Sequence, residues 1–219
     1  MKWIYIAAGI AFYIKMIILS PALEFEELPI VDLIVEDTGI PNAVSGILFR
    51  NRLFDTIFEV VVFTMAIMGV QFLLSNEKPS RTIYQFSDHP SIILAQLGAT
   101  IAALIGIELT ISGHLSPGGG FAAGVIGGTA IGLITVTSSS QWIEFLYQRF
   151  RAALWEKVLV LNFIIVAAFT LVGLELPHGE YGTIFSGSWI PILNILVAMK
   201  VALGSWTAVL VFILYRGLL

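Results

Sequence analysis

The sequence predicts an all-α integral membrane protein with about six transmembrane helices and both termini in the cytoplasm. The chain is 58% hydrophobic and only 12% charged, more apolar than a soluble core of 219 residues requires. Its apolar residues gather in runs near 3–20, 53–74, 91–112, 120–137, 157–176 and 189–214. Each run is long enough to cross a hydrocarbon layer about 30 Å thick at a rise of about 1.5 Å per residue. Basic residues are also segregated. Lys2, Lys78, Arg81, Arg149, Arg151, Lys157 and Arg216 fall in alternate connections and at the two ends, while only Arg50 and Arg52 fall in the opposite ones. The positive-inside rule puts the first group in the cytoplasm.

The first run, Trp3 to Leu19, is long for a signal-peptide core, and no small-residue cleavage site precedes the acidic stretch, so it reads as a retained helix. The segment after it carries Glu24, Glu26, Glu27, Asp32, Glu36 and Asp37 between Pro21, Pro29 and Pro41. It reads as a solvated loop closing in a short interfacial helix over 42–48. The second run ends before Lys78 and Arg81, and His89 and Pro90 read as part of that connection.

The third run ends in Gly113-His114-Leu115-Ser116-Pro117-Gly118-Gly119-Gly120-Phe121. Proline fixes φ and lacks a donor, and consecutive glycines reach conformations closed to other residues, so the chain turns sharply here. Beyond the turn, Gly120, Gly124, Gly128 and Gly132 recur every four residues and line one face of the fourth helix. That face lets another helix backbone approach closely. Gly118, Gly120 and Gly124 also suggest a loose dinucleotide fingerprint, but that motif requires a preceding strand in a βαβ unit, and here both flanks have membrane-spanning length. The sixth run is long enough to tilt. Between the fifth and sixth lies a polar loop, Glu175 to Glu180, with a turn at Pro177-His178-Gly179.

Chemistry in such a chain is carried by the few charges inside spans. Asp55 and Glu59 stand one helical turn apart near the start of the second span, on one face. A carboxylate within a membrane helix is costly unless it meets a polar cavity or a partner, and such groups serve as proton relays and cation sites. Arg50 and Arg52 stand close enough to neutralise Asp55 at the interface instead. Glu108 lies six residues before His114, near enough to share a cavity with it, and histidine titrates near neutral pH. A histidine beside such a turn also caps helix ends. Lys15 can snorkel to an interface. Lys200, near the middle of the sixth span, cannot, and so requires a buried carboxylate or a place beside a proton path.

Other classes are disfavoured. The chain has no cysteine, which excludes disulfides, thiolate-bound iron–sulfur clusters and Cys-type zinc sites within it. The three histidines are scattered, no basic patch suits nucleic acid, and no Ser/His/Asp or Glu/His constellation has catalytic spacing. No cofactor is expected in this chain, and it is not expected to be an enzyme.

The sequence Gly113-His114-x-x-Pro117-Gly118-Gly119-Gly120-Phe121 resembles the signature of the B subunit of Mrp-type multisubunit cation/proton antiporters and its homologues in membrane-bound hydrogenase-like complexes. Ala122 and Ala123 stand where that family often carries glycine or glutamine. Asn42-x-Val44, Ile47-Leu48, the arginines and Asp55-Thr56-x-x-Glu59 resemble the C-terminal tail of the large Mrp A subunit. Together these resemblances imply a fusion, with an A-tail-like two-helix module at 1–80 and a four-helix B-like module at 81–219. They further imply a cell-membrane subunit of a Na+/H+ antiporter with other Mrp-type subunits as partners, or of a redox-driven complex with hydrogenase or ferredoxin-linked partners. Na+ and H+ would be the transported ions, and Asp55 and Glu59 would border the pathway. A silent structural scaffold is the rival of another class.

Overall fold

A computed structural model describes Ile14, residues 30–78 and residues 88–216. Residues 31–219 form one compact unit and residues 1–30 another. Apart from Ile14, the first apolar run lies outside the described residues, as do Lys2, Lys15, Arg81 and the acidic stretch up to Pro29.

Among the described residues there are helices and no strands. They are α1 (Ile30–Thr38), α2 (Ala43–Gly46) continuing into a π-helical turn (Ile47–Asn51), α3 (Leu53–Leu74), α4 (His89–Ser112), α5 (Gly119–Thr137), α6 (Ser140–Arg149), α7 (Ala152–Leu171) and α8 (Ile190–Arg216). Five of these, α3, α4, α5, α7 and α8, are long and apolar enough to cross a membrane.

Three expectations need correction, and one connection proves to be helical. The segment read as a solvated loop contains α1, whose Ile34 packs inward while Asp32, Glu36 and Asp37 stay exposed. His89 opens α4 and does not belong to a loop, because the Asp88 carboxylate accepts a hydrogen bond from Ser91 N at 3.1 Å and Pro90 needs no donor in the first turn. The fifth span begins five residues earlier than the hydropathy suggests, at Ala152, and ends at Leu171. The connection before it is a helix, α6, turned into α7 through Arg151 in the left-handed region (φ 49°).

The long α8 is the axis of the bundle: 44% of its span is buried, against 11% for α4 at the periphery. Toward one end, Leu193, Val197 and Val201 of α8 pack with Leu53 and Val60 of α3 and Phe163 and Ala167 of α7. Toward the other, Trp206 and Leu210 pack with Ile143 of α6 and Ala152. The glycine stripe of α5 lies directly on α8. A Cβ at Gly124 would sit 2.6 Å from Val201 Cβ and 2.7 Å from Ala198 O, and one at Gly128 would sit 2.6 Å from Ser205 Cβ. On the other side of α5, Gly106 of α4 meets the backbone at Gly127 and Ala123. The stripe is therefore a seam inside this chain. Lipid tails are as apolar as the side chains, so close backbone packing of this kind is a principal source of helix association.

The turn before α5 uses its glycines as expected: Gly118 and Gly119 have φ of 142° and 71°. Asn42 clamps it. Its side-chain amide donates to Gly113 O at 2.8 Å and Ser116 O at 2.7 Å, while its Oδ1 caps α2 by accepting from Val44 N and Ser45 N. Ser45 Oγ donates to the same Gly113 carbonyl at 2.7 Å. Arg50 binds Glu175 and lies 3.5 Å from Asp37 Oδ2, and Glu175 in turn meets His178 Nε2 at 3.1 Å. The arginine segment, the glycine turn and the Glu175 loop therefore gather at one end of the bundle, with α6 at the other.

Candidate functional site

The residues singled out by the sequence divide sharply by environment. Asp55 is exposed and paired with Arg52, whose Nε donates to its Oδ2 at 2.7 Å. Glu59, on the next turn of α3, is exposed and has no polar partner among the described residues. At about 1.5 Å per residue it lies about 9 Å along its helix, inside the apolar span.

Glu108 and His114 do not share a cavity, contrary to expectation. Glu108 is exposed on α4 and accepts from Ser112 Oγ at 2.5 Å. His114 is fully buried. Its Nε2 lies 3.3 Å from Thr183 O; a carbonyl only accepts, so Nε2 carries the hydrogen and the buried Nδ1 is left without a partner. Burial lowers the His114 pKa from the ordinary 6.5, against the raising effect of the Thr183 and Ile184 backbone. Asn194 at the start of α8 donates to Thr110 O at 3.1 Å and closes this end against α4.

Lys200 is the centre of the polar interior. It stands about 15 Å along α8 from Ile190, near mid-span, and is fully buried. Its Nζ lies 3.9 Å from Glu156 Oε1 and 3.8 Å from the centroid of the Phe63 ring. Glu156, 5% exposed, enters from α7, one turn after Ala152. The second carboxylate oxygen accepts from Thr207 Oγ1 at 3.4 Å, and that hydroxyl lies 3.0 Å from Tyr147 Oη on α6. Neither Lys200 Nζ nor Glu156 Oε1 has a hydrogen-bond partner within normal length. Gly204 makes room for this pair: a Cβ there would sit 2.6 Å from Phe63 Cε1 and 3.1 Å from Glu156 Oε1.

Such a pair is expensive to keep. Removing two charges from water costs several kcal/mol each, and their attraction repays this fully only with good geometry and satisfied hydrogen bonds. Here the ammonium is held by a carboxylate at the edge of contact and by an aromatic face. The arrangement suits exchange of a proton, because neither partner is locked by a full set of bonds.

Tyr147 completes the chain of polar groups. Burial raises its phenol above the ordinary 10.0, with the Thr207 contact acting the other way and the Glu156 charge adding to the rise. Its ring stands edge-on to Trp206 at 5.3 Å. Among the described residues no three His, Asp or Glu side chains gather as metal ligands would. A groove of about 360 Å³ between α4, α5, α6 and α8, lined by residues including Ala99, Ile134, Trp142 and Trp206, has no ionisable side chain.

The sequence pointed to Lys200 and missed Glu156, Thr207 and Tyr147. Glu156 falls one residue outside the fifth apolar run, 157–176, and was not singled out. Yet Leu159, Phe163 and Ala167, three, seven and eleven residues on, form the buried face of α7, and Glu156 lies on that face while Lys157 is exposed.

Two solved structures share this arrangement of helices. A chain of the membrane-bound sulfane sulfur reductase, an archaeal respiratory membrane complex, superposes with a TM-score of 0.70 at 24% identity, over 96% of this chain and 95% of that one. A chain of the Mrp complex from Dietzia sp. DQ12-45-1b superposes with a TM-score of 0.69 at 19% identity, over 95% of this chain and 25% of that one. No curated protein matches the sequence. Residues 90–207, more than half of the chain, match the family model described as a domain related to the MnhB subunit of Na+/H+ antiporter. With five helices of membrane-spanning length around that domain, the chain is a multi-pass membrane protein and belongs to the MnhB-related family.

Proposed function

We propose that this chain is a membrane subunit of a multisubunit monovalent cation/proton antiporter, in which the Glu156–Lys200 pair carries protons and the carboxylates of α3 border the cation. The observation that carries this reading is the Lys200 ammonium, fully buried near mid-span with an incompletely bonded carboxylate at 3.9 Å. Intramembrane ionisable pairs of this kind mark ion and proton pathways. His114 is assigned to the turn end of the same route. Both termini are assigned to the cytoplasm.

Glu59 and Glu108 support a multisubunit setting. Both are exposed on spans of this chain, where contact with lipid is unfavourable, so a neighbouring subunit supplies their polar surroundings. The test is Glu59→Gln in the intact complex, reconstituted in vesicles and assayed for sodium-driven pH change. Exchange should fall while the amount of complex holds. A wild-type rate favours the scaffold.

A redox-linked role is the second reading. It is favoured by the superposition on nearly the whole of a chain from a respiratory membrane complex, where the Mrp match spans a quarter of its chain. Because this chain has no cysteine, any thiolate-bound iron–sulfur cluster would reside in partners. Co-purifying iron–sulfur subunits would establish that version, and a complex of antiporter subunits alone would exclude it.

A further inference from the structure

We propose that Tyr147 and Thr207 form the proton-entry branch of the Glu156–Lys200 pair, connecting it to water at the α6 end of the bundle. The proposal rests on the reading above and adds the side and route of entry. Its basis is a continuous series of polar atoms on three elements. Tyr147 Oη on α6 is 3.0 Å from Thr207 Oγ1 on α8, Thr207 Oγ1 is 3.4 Å from Glu156 Oε2 on α7, and Glu156 Oε1 is 3.9 Å from Lys200 Nζ. Tyr147 is half-buried and followed in α6 by exposed Gln148 and Arg149, whereas Thr207 is 1% exposed. The series thus runs from a half-buried phenol into the core, where Thr207, Glu156 and Lys200 are all buried.

Thr207 has the properties of a gate. With Tyr147 Oη donating to it, its single hydroxyl hydrogen has two acceptors, Leu203 O at 3.0 Å in its own helix and Glu156 Oε2 at 3.4 Å. A buried threonine in a helix ordinarily keeps the bond to the carbonyl four residues back. Rotation about Cβ–Oγ1 moves the hydrogen from Leu203 O to the carboxylate, at the cost of one ordinary hydrogen bond.

The transfer balances. A hydronium at the surface gives a proton to Tyr147 Oη as the phenolic proton passes to Thr207 Oγ1 and the threonine proton passes to Glu156 Oε2. Water is left at the surface and a neutral carboxyl beside Lys200, with both hydroxyls restored. Their rotation back readies them for the next proton. No redox partner enters.

The test uses the intact complex in vesicles, with the initial rate of sodium-driven pH change expressed per assembled complex. Thr207→Val and Tyr147→Phe keep shape and lose the hydroxyl, and each should slow exchange by about tenfold or more, the scale of losing a positioned proton-transfer group. Thr207→Ser, which keeps the hydroxyl, should retain most of the rate. Wild-type rates in Thr207→Val and Tyr147→Phe, with Glu156→Gln inactive, overturn the entry branch and leave the pair standing. Equal loss in Thr207→Ser and Thr207→Val overturns the hydroxyl as carrier. A wild-type rate in Glu156→Gln overturns the underlying reading and the branch with it.

Discussion

The packing of α5 on α8 makes Gly124→Ala a sensitive perturbation with a control in the same stripe. The new Cβ would sit 2.6 Å from Val201 Cβ and 2.7 Å from Ala198 O. Non-bonded carbons are at their best near 3.5–4.0 Å, so the helices must part by about 1 Å locally. Overpacking of this kind costs about 1–3 kcal/mol. Alanine offsets up to about 1 kcal/mol of it through better helix propensity. The expected net loss is about 1–2 kcal/mol, a fall of several degrees in the unfolding midpoint at about 2–4 °C per kcal/mol. Gly132→Ala has the same propensity gain, yet its Cβ meets Val209 Cγ2 only at 4.0 Å. Its midpoint should stay or rise. Thermal unfolding of both variants in mild detergent decides the matter, and a Gly124→Ala protein as stable as Gly132→Ala would refute the seam between α5 and α8.

Two further outcomes follow from the buried histidine and the charge distribution. His114 has a folded-state pKa below 6.5, so the stability it contributes is present above 6.5 and is lost as pH falls from there toward the lowered value. Unfolding free energies measured from pH 7 to 5 should therefore decline with a component of up to about 1.4 kcal/mol per pH unit that disappears in His114→Gln. Because there is no native cysteine, Glu36→Cys and Gln148→Cys report sidedness directly. An impermeant maleimide added to intact cells should label Glu36→Cys and spare Gln148→Cys, and the reverse pattern inverts the topology.

How much was legible in the sequence depended on whether one dimension sufficed. Membrane spans are continuous runs, so five of them could be read to within a few residues, and the glycine spacing alone identified the smooth face of α5. Which helix covers that face could not be read, because the seam with α8 joins residues some 77 positions apart, as Gly124 and Val201 do. Hydropathy likewise passes over a charge at the end of a span, so Glu156, just outside the run 157–176, drew no attention; its inward direction emerges only when α7 is turned against α8. The clamp from Asn42 to Gly113 and Ser116 was hidden for the same reason, although Asn42 was visible as a helix start. α1 escaped notice because Asp32, Glu36 and Asp37 interrupt its apolar residues, and nine residues are too few for a span.

The most direct test of the functional reading is Glu156→Gln in the reconstituted complex. The amide keeps the size of the side chain and its contact with Thr207, and removes the titrating group facing Lys200. Breaking a buried ion pair costs about 3–5 kcal/mol, so the double variant Glu156→Gln/Lys200→Met is measured alongside as a form with no unpaired charge. If the pair carries the transported proton, both variants lose sodium-driven pH change per assembled complex. Exchange at the wild-type rate in the double variant would contradict it.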